Sequence, residues 1–579
     1  VPRTTTPRSM LPARRRRATP LSGQVEVRVA QPPPLWCTGA TMTDAPEGRA
    51  IRVTYATHSS PQAGALISHV TGLLQQQFPL RNVHWRPSPS TRCLRPSATR
   101  ATGAVSQAPH AIRTLQMLSV NLVPVQAPVD VREPVLARTP CVHLFFVSCD
   151  DNDVYRSKVR SEIRNWIASL PSLMPQDFTG MRVPGEEGRD VPAALEPEFL
   201  IVLVPPMSEA APATPPVMGG GAHPAMPGTS QTSASKGPMN RFYNMNKGTV
   251  LEKVKADFNS SLHERVVQLP KLPGTVSPAA TNDPVLWIEL IARMKECVAN
   301  TIGSLVELQD RTITLYDAQR GQPSWSFSQS LARTEQLIET LEGVELLEDS
   351  LTLYQELDQR LAAGLADGTA SFPAIGGTDP GDDSLLLLGP LRKPYHTQLE
   401  QGTISLFDLR CYLFAQQAML LGTLGHVLKV IQATPAFIAH VAQMYARYGT
   451  AGLPRFFVEA WSFSVALDAV EQCQAWLVEQ TNEGDEDPSQ LPAFHAAKAD
   501  LLELAVRQLL RIGLRTGHLP DRDPFRLAEA GGLAYPDSSD APITRKELVE
   551  AMDRRDVFDM QLRNLIQRAV LAASFAQQQ

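Results

Sequence analysis

Val142-His143-Leu144-Phe145-Phe146-Val147-Ser148-Cys149, then the acidic turn Asp150-Asp151-Asn152-Asp153, then a helix-period stretch over Val154–Leu170, decide how this chain is read. A short, uninterrupted apolar run is what a strand buried on both faces of a parallel sheet looks like. After the turn, Val159, Ile163, Trp166, Ile167 and Leu170 fall on one helical stripe. Downstream, Phe199–Val204 reads as a second buried strand, stopped by Pro205-Pro206; Thr249–Phe258 reads as a helix and Arg265–Leu269 as a third strand. Strand, helix, strand, helix, strand predicts right-handed crossovers and a mostly parallel sheet in a three-layer-like α/β domain.

Upstream, the β-branched run Arg52–Tyr55 predicts a strand, Gly64–Gln77 a helix and Leu115–Val125 an alternating strand. Residues 86–111 and 205–246 are rich in proline and small residues and are expected to be disordered insertions. Residues 1–41 hold the run Arg14–Arg17, many prolines and a single acid, Glu26. The chain opens on Val1, with Met42 starting a more ordinary stretch, so 1–41 is expected to be translated upstream sequence or a disordered tail.

From Asp283 onward the pattern is helical only. Pro284–Arg320 predicts one long helix with proline in its first turn. Trp325–Leu341 and Val344–Leu361 predict a pair, with facing apolar stripes from Phe327 to Leu341 and from Leu347 to Leu357. After a Gly/Asp/Pro linker over 362–383, helices are expected at Ile404–Gly422, His426–Tyr448, Arg455–Thr481, Ala493–Leu514 and Arg545–Phe575. Helix pairs joined by short turns predict an α-solenoid of TPR-like pairs. The last helix has no stop signal, so the array is expected to be truncated. The expected organisation is thus α/β followed by all-α: tail 1–41, α/β domain 50–283, long helix and helix pair 284–361, linker 362–383 and solenoid 384–579.

Composition narrows function by exclusion. A net charge of −5 over 579 residues, with 43% hydrophobic and 20% charged residues, gives no global basic field for nucleic acid. Seven scattered cysteines without a C-x-x-C pair argue against a disulfide framework or a zinc ribbon and for a reducing compartment. The longest strongly apolar run, Phe199–Val204, is far too short to cross a bilayer. Membrane association is therefore expected to be peripheral, and the protein cytoplasmic.

A parallel sheet invites a nucleotide, but phosphate cradles need glycines at the strand-to-helix turn so that backbone N–H groups can approach. Here the turn Ser148–Asp153 has no glycine or lysine and three carboxylates, which repel phosphate. Asp151-Asn152-Asp153 starts like a calcium loop but lacks its glycine and closing glutamate, leaving helix capping as the simpler reading. Cys149 sits where a thiol pKa could fall, but the neighbouring acids oppose that shift. His263-Glu264 reads as a solvated turn, Gly219–Gly221 lies in low-complexity sequence, and Asn259-Ser260-Ser261 matches a glycosylation sequon without meaning in a reducing compartment. There is no H-E-x-x-H and no G-x-S-x-G. No catalytic, cofactor-binding or metal-binding residues are assigned, and no cofactor is expected.

Four segments, in order, carry a resemblance. They are Val53-Thr54-Tyr55 with Phe78–Trp85; Phe145–Tyr155 with Ile163–Trp166 and Phe199–Val204; Lys253–Phe258, Arg265–Leu269, Trp325–Phe327 and Leu353–Asp358; and Leu391-Arg392-Lys393-Pro394 with Ser405–Phe414. Together the chain resembles the N-terminal half of the large subunit specific to the TRAPP II (transport protein particle) complex, the subunit 10 family. The resemblance implies a non-catalytic scaffold in a nucleotide exchange and tethering complex for Rab-type GTPases. That complex acts at the trans-Golgi and in endosome-to-Golgi vesicle traffic. Catalysis there belongs to small core subunits. The implied partners are those core subunits, the second large TRAPP II subunit and, through the complex, a Rab. No nucleic acid is implied, and membrane contact is peripheral. The family's C-terminal β-sandwich region has no counterpart in the sequence, and 86–111 and 205–246 are additions. The alternative reading is a helical-repeat adaptor of another complex.

Overall fold

The structure is a computed structural model that describes residues 50–59, 61–88, 91, 112–129, 134–171, 196–205, 249–261, 263–270, 284–322, 325–384, 387–388, 393–449, 451–483, 490–523 and 553–578. The tail 1–41 and nearly all of 86–111 and 205–246 lie outside them.

Five parallel strands form the main sheet: β1 (Ile51–Thr57), β4 (Val120–Pro124), β5 (Pro140–Val147), β6 (Phe199–Leu203) and β7 (Val266–Gln268). Their order is β4-β1-β5-β6-β7. β5 and β6 are apolar runs because both of their faces are covered, whereas the edge strand β4 is buried only at Leu122. On one face Phe145, Val147, Ile201, Leu203 and Val266 meet Ile163 and Trp166 of α3 (Arg160–Ser169) and Val250 and Val254 of α4 (Val250–Phe258). On the other, Leu144, Phe146, Leu200, Val202 and Val267 join the core that holds α1 (Pro61–Gln75), the short α2 (Val135–Arg138) and the long α5 (Ile288–Asp317). The alternation along β5 and β6 is the two-residue period of a strand.

Leu115–Val125 is not one strand. It breaks at Ser119 into β3 (Arg113–Leu118) and β4, which belong to different sheets. β3 pairs antiparallel with β2 (Leu80–Trp85), drawn from the Phe78–Trp85 segment, and β4 pairs with β1. Leu115 and Leu118 are buried in the helix-side core and Leu122 in the sheet, so burial at two sites replaces the single alternating face. The helix after β5 begins at Asn152, passes through a π turn at Tyr155–Val159 and continues as α3. α4 starts at a full capping box: the Thr249 hydroxyl accepts from the Glu252 N–H and the Glu252 carboxylate accepts from the Thr249 N–H.

The helices that follow are α5, entered through the 3-10 turn Pro284–Trp287, α6 (Phe327–Gly343), α7 (Leu347–Asp367), α8 (Tyr395–Glu400), α9 (Leu406–Thr423), α10 (Val427–Tyr448), α11 (Phe457–Glu483), α12 (Leu491–Arg515) and α13 (Arg555–Gln578). Neighbours in sequence pack together: α5 on α6, α6 on α7, α9 on α10, α10 on α11, α11 on α12 and α12 on α13. Close approach needs glycine at two places. A Cβ on Gly303 of α5 would lie 2.8 Å from the Trp85 Nε1, and one on Gly422 of α9 would lie 2.7 Å from the Trp476 ring. A single buried apolar cluster runs from Ile51 in β1 to Ala572 in α13, so one face of the sheet and the helices share a core.

Two sequence expectations need correction here. Val344 to Leu346 is the turn between α6 and α7, with Glu345 at φ 62°, and α7 extends to Asp367 before Gly368 caps it at φ 79°. The facing stripe on α7 is Leu353, Tyr354, Leu357 and Leu361, while Leu351 is only half-buried. The 362–383 linker is instead the last turn of α7 followed by a packed strap. In that strap Ala370, Asp382 and Asp383 are buried, the Tyr445 hydroxyl donates to Gly376 O at 3.0 Å, and Ala374 and Ile375 accept from the first N–H groups of α9. Its glycines, Gly376 and Gly377, sit at φ 88° and 85° against Ser405 and Tyr445. Glycine there serves close packing rather than flexibility.

Candidate functional site

In a doubly wound sheet, ligands bind outside the carboxyl ends of the strands, where the strand order reverses. Here the chain runs from β1 outward to β4 and returns to β5, so the reversal lies between Thr57 and Val147. That opening is closed by the protein's own side chains. Lys158 Nζ donates to Ser59 O at 3.0 Å, and the Ser59 N–H donates to Glu162 Oε2 at 3.0 Å. His58, next to it, is buried and its pKa is lowered by that burial.

Among the described residues, a crevice of about 1200 Å³ lies one strand over, outside β5, β6 and β7. Its apolar walls include Leu203, Val204, Val250, Val267, Leu269 and Leu290. Its polar groups come from the turn after β5 (Cys149, Asp150, Asn152), from Gln268 and from Glu289 in the first turn of α5. Among the described lining residues there is no lysine, arginine or histidine. The apolar wall residues are themselves buried, Leu269 at 2% and Leu290 at 0% exposure, while Val285 and Ile288 nearby are exposed.

The acidic turn does what local chemistry predicts. Asp151 Oδ1 accepts from the Asp153 N–H at 2.8 Å and caps the following helix, while Cys149 Sγ donates to Asp151 O at 3.3 Å. Burial first, then Asp151 and Asp150, raise the Cys149 pKa, which leaves the thiol a poor nucleophile. Asn259 is engaged in the fold: its side-chain oxygen accepts from the N–H groups of Arg265 and Val266 and so blunts the edge strand β7. His263 is exposed, Glu264 pairs with Arg293, and Gly219–Gly221 lie outside the described residues. His143, buried in β5, bonds the Thr54 hydroxyl at 2.6 Å, and burial lowers its pKa to about 4.

Two clusters escaped the sequence reading. Lys393 Nζ lies 2.9 Å from Asp379, 2.8 Å from Asp382 and 2.8 Å from Asp408, with only Asp379 exposed. Burial works against the ammonium, but the hydrogen bonds to Asp382, Asp408 and Asp379 outweigh it and raise the Lys393 pKa; burial also raises that of Asp382. Beside it, the Tyr412 hydroxyl donates to buried Glu335, whose other oxygen is 3.4 Å from His396 Nδ1. That Glu335 contact raises the His396 pKa against the effect of burial. The only sequence signal for the lysine cluster was that Lys393 and Asp408 sit in Leu391–Pro394 and Ser405–Phe414, two of the segments that carried the resemblance.

Fold and site together define a parallel α/β domain fused to packed helices, with an acidic, glycine-free turn where a nucleotide-binding sheet would cradle phosphate. The family described as trafficking protein particle complex subunit 10-like, N-terminal, matches residues 51–183. The subunit 10 of Dictyostelium discoideum is 23% identical over 451 residues, 73% of this chain and 26% of that protein. The complex II-specific subunit 130 homolog of Arabidopsis thaliana is 26% identical over 345 residues, 57% of this chain and 26% of that protein. Human subunit 10 is 20% identical over 509 residues, 85% of this chain and 34% of that protein. The chain is similar to members of the trafficking protein particle subunit 10 family, and it spans between about a quarter and a third of the length of these relatives. No solved structure matches it.

Proposed function

We propose that the chain is a non-catalytic scaffold and specificity subunit of a TRAPP II complex, which tethers vesicles and exchanges nucleotide on a Rab-type GTPase through other subunits. The observation that carries this reading is the run of similarity to subunits named for that complex, 73% of this chain in the Dictyostelium case. The structure supports it in two ways. The turn after β5 is spent on capping and carries carboxylates where a nucleotide-binding sheet would need phosphate contacts. The helices from α5 to α13 offer extended side-chain surface, the raw material of a subunit that binds others. The proposed partners are the small core subunits and the second large subunit, and the place of action is the cytoplasmic face of the trans-Golgi and of endosome-to-Golgi carriers. Membrane contact is peripheral: no helix among the described residues is long and apolar enough to cross a membrane.

Within that role, 50–283 forms the α/β part with its insertions, 284–361 the long helix and TPR-like pair, and 384–579 an α-solenoid. Affinity purification of the chain from cells, followed by mass spectrometry, tests the assignment. TRAPP core subunits should co-purify in stoichiometric amounts. Recovery of a different multisubunit assembly would instead favour a helical-repeat adaptor.

A further inference from the structure

We propose that β4, the open edge of the main sheet, pairs antiparallel with β4 of a second copy of this chain, joining the two sheets into one. β4 is the outermost strand and pairs only with β1. Ser119 O accepts from the Ile51 N–H at 2.9 Å, and the Val125 N–H donates to Tyr55 O at 3.0 Å. Residues 119, 121, 123 and 125 therefore turn their main-chain groups toward β1, and the residues between them turn theirs outward. Val120 and Leu122 each offer an N–H and a carbonyl along that edge, with no main-chain partner among the described residues. Pro124 ends the edge, because it has no N–H and its carbonyl accepts from Ala127 at 2.9 Å. The opposite edge, β7, is blunted by the Asn259 side chain. β4 has no such block, and no charged residue from Thr114 to Val129 guards it against pairing.

Donors and acceptors alternating at strand spacing are answered by another extended backbone. Symmetry makes a second copy the fit. With Asn121 set opposite Asn121 of the other copy, Val120 faces Leu122 and Leu122 faces Val120, and each pair exchanges both N–H···O bonds. The outward groups of both residues are then all used. The two asparagines form the close, non-hydrogen-bonded pair, about 4.5 Å between Cα atoms, where their exposed side chains meet. Exposed apolar residues are spaced evenly about the same centre: Met117 lies four residues before Asn121 and Val125 four after, 39% and 36% exposed. The two-fold axis carries Met117 of one copy toward Val125 of the other, which adds apolar burial on both sides of the ladder. A foreign strand would satisfy the backbone without answering that spacing. The inference stands on the sheet edge and does not depend on which complex the chain joins.

Sedimentation velocity on the full 579-residue chain is the test. The chain should pass from monomer to dimer between about 1 and 100 μM. Val120→Pro removes an outward donor at the first residue of β4, a position where proline is tolerated, and should weaken the dimer by roughly tenfold. Asn121→Lys and Asn121→Asp each set like charges face to face and should weaken it by roughly fivefold, while an equimolar mixture of the two variants should restore it. Asn121 is exposed, so neither substitution there should move the urea midpoint of the monomer. A chain that stays monomeric to about 100 μM overturns the proposal, including one that instead captures a strand from another protein. So does a dimer that all three substitutions leave intact, or a mixture of the two Asn121 variants that associates no better than either alone.

Discussion

The turn 148–153 and the strap 369–384 are both short, acidic connections, and they behave in opposite ways. The first leaves Asp150 and Asp153 exposed and uses Asp151 to cap a helix. The second drives Asp382 and Asp383 into the interior and, with Asp408, surrounds Lys393. An exposed carboxylate costs little and contributes little. A buried one is tolerated only while its partner stays. The glycines and aspartates that look like a linker therefore form a tightly constrained part of the molecule, and the turn beside the parallel sheet, where chemistry is usually sought, a weakly constrained one.

Removing the cation is the sharpest way to break that contrast. Lys393→Met should destabilise the chain by about 3–5 kcal/mol in denaturant unfolding, because Asp382 and Asp408 lose their counter-charge. Asp150→Asn should change it by less than about 0.5 kcal/mol. If the two variants unfold alike, the strap is not a constrained element. Next in size is Leu357→Ala, at the α6–α7 seam, with an expected loss of about 2–4 kcal/mol. Hydrogen exchange on that variant should loosen α6, α7 and their neighbours first; equal loosening of β5 and β6 would show that the shared core unfolds as one unit.

Smaller effects sharpen the comparison. Asp151→Ala removes the cap before the π turn and should cost about 1 kcal/mol, while Asp153→Ala should cost less, since Asp151 supplies the cap. The smallest effect is a pH dependence. Contact with Glu335 raises the His396 pKa above its unfolded value, so the pair stabilises the fold fully below the unfolded imidazole pKa. That contribution fades as pH rises through the higher folded value. Because the His396 side chain is 57% exposed, screening keeps the change small. Thermal melts between pH 6 and 9 should show a shallow decline that His396→Gln flattens; an unchanged slope would remove His396 as its source.

What the sequence disclosed followed from how local the causes are. β5 and β6 were readable because burial on both faces writes an unbroken apolar run, and Asp151 because a cap reaches only two residues along the chain. β2 was not assigned: Leu80, Val83 and Trp85 are buried while Asn82 sits at φ 54°, which breaks the two-residue period. The crevice needs β5, β6, β7 and α5 brought together from residues 149 to 290. The strap was misread because glycine at positive φ looks the same in a loose linker and in a packed bend. Only distant Tyr445 and Lys393 tell them apart.

The 30 residues of α5 make a rod about 45 Å long at 1.5 Å per residue. Its first turn supplies Glu289 and Leu290 to the crevice, its middle packs on the antiparallel β2–β3 pair through Gly303 and Trp85, and its last residue, Asp317, holds Arg360 of α7 and Ser330 of α6. A lever fixed at three points cannot be tilted at one end alone. A load applied at α6 and α7 therefore reaches the helix whose first turn walls the crevice.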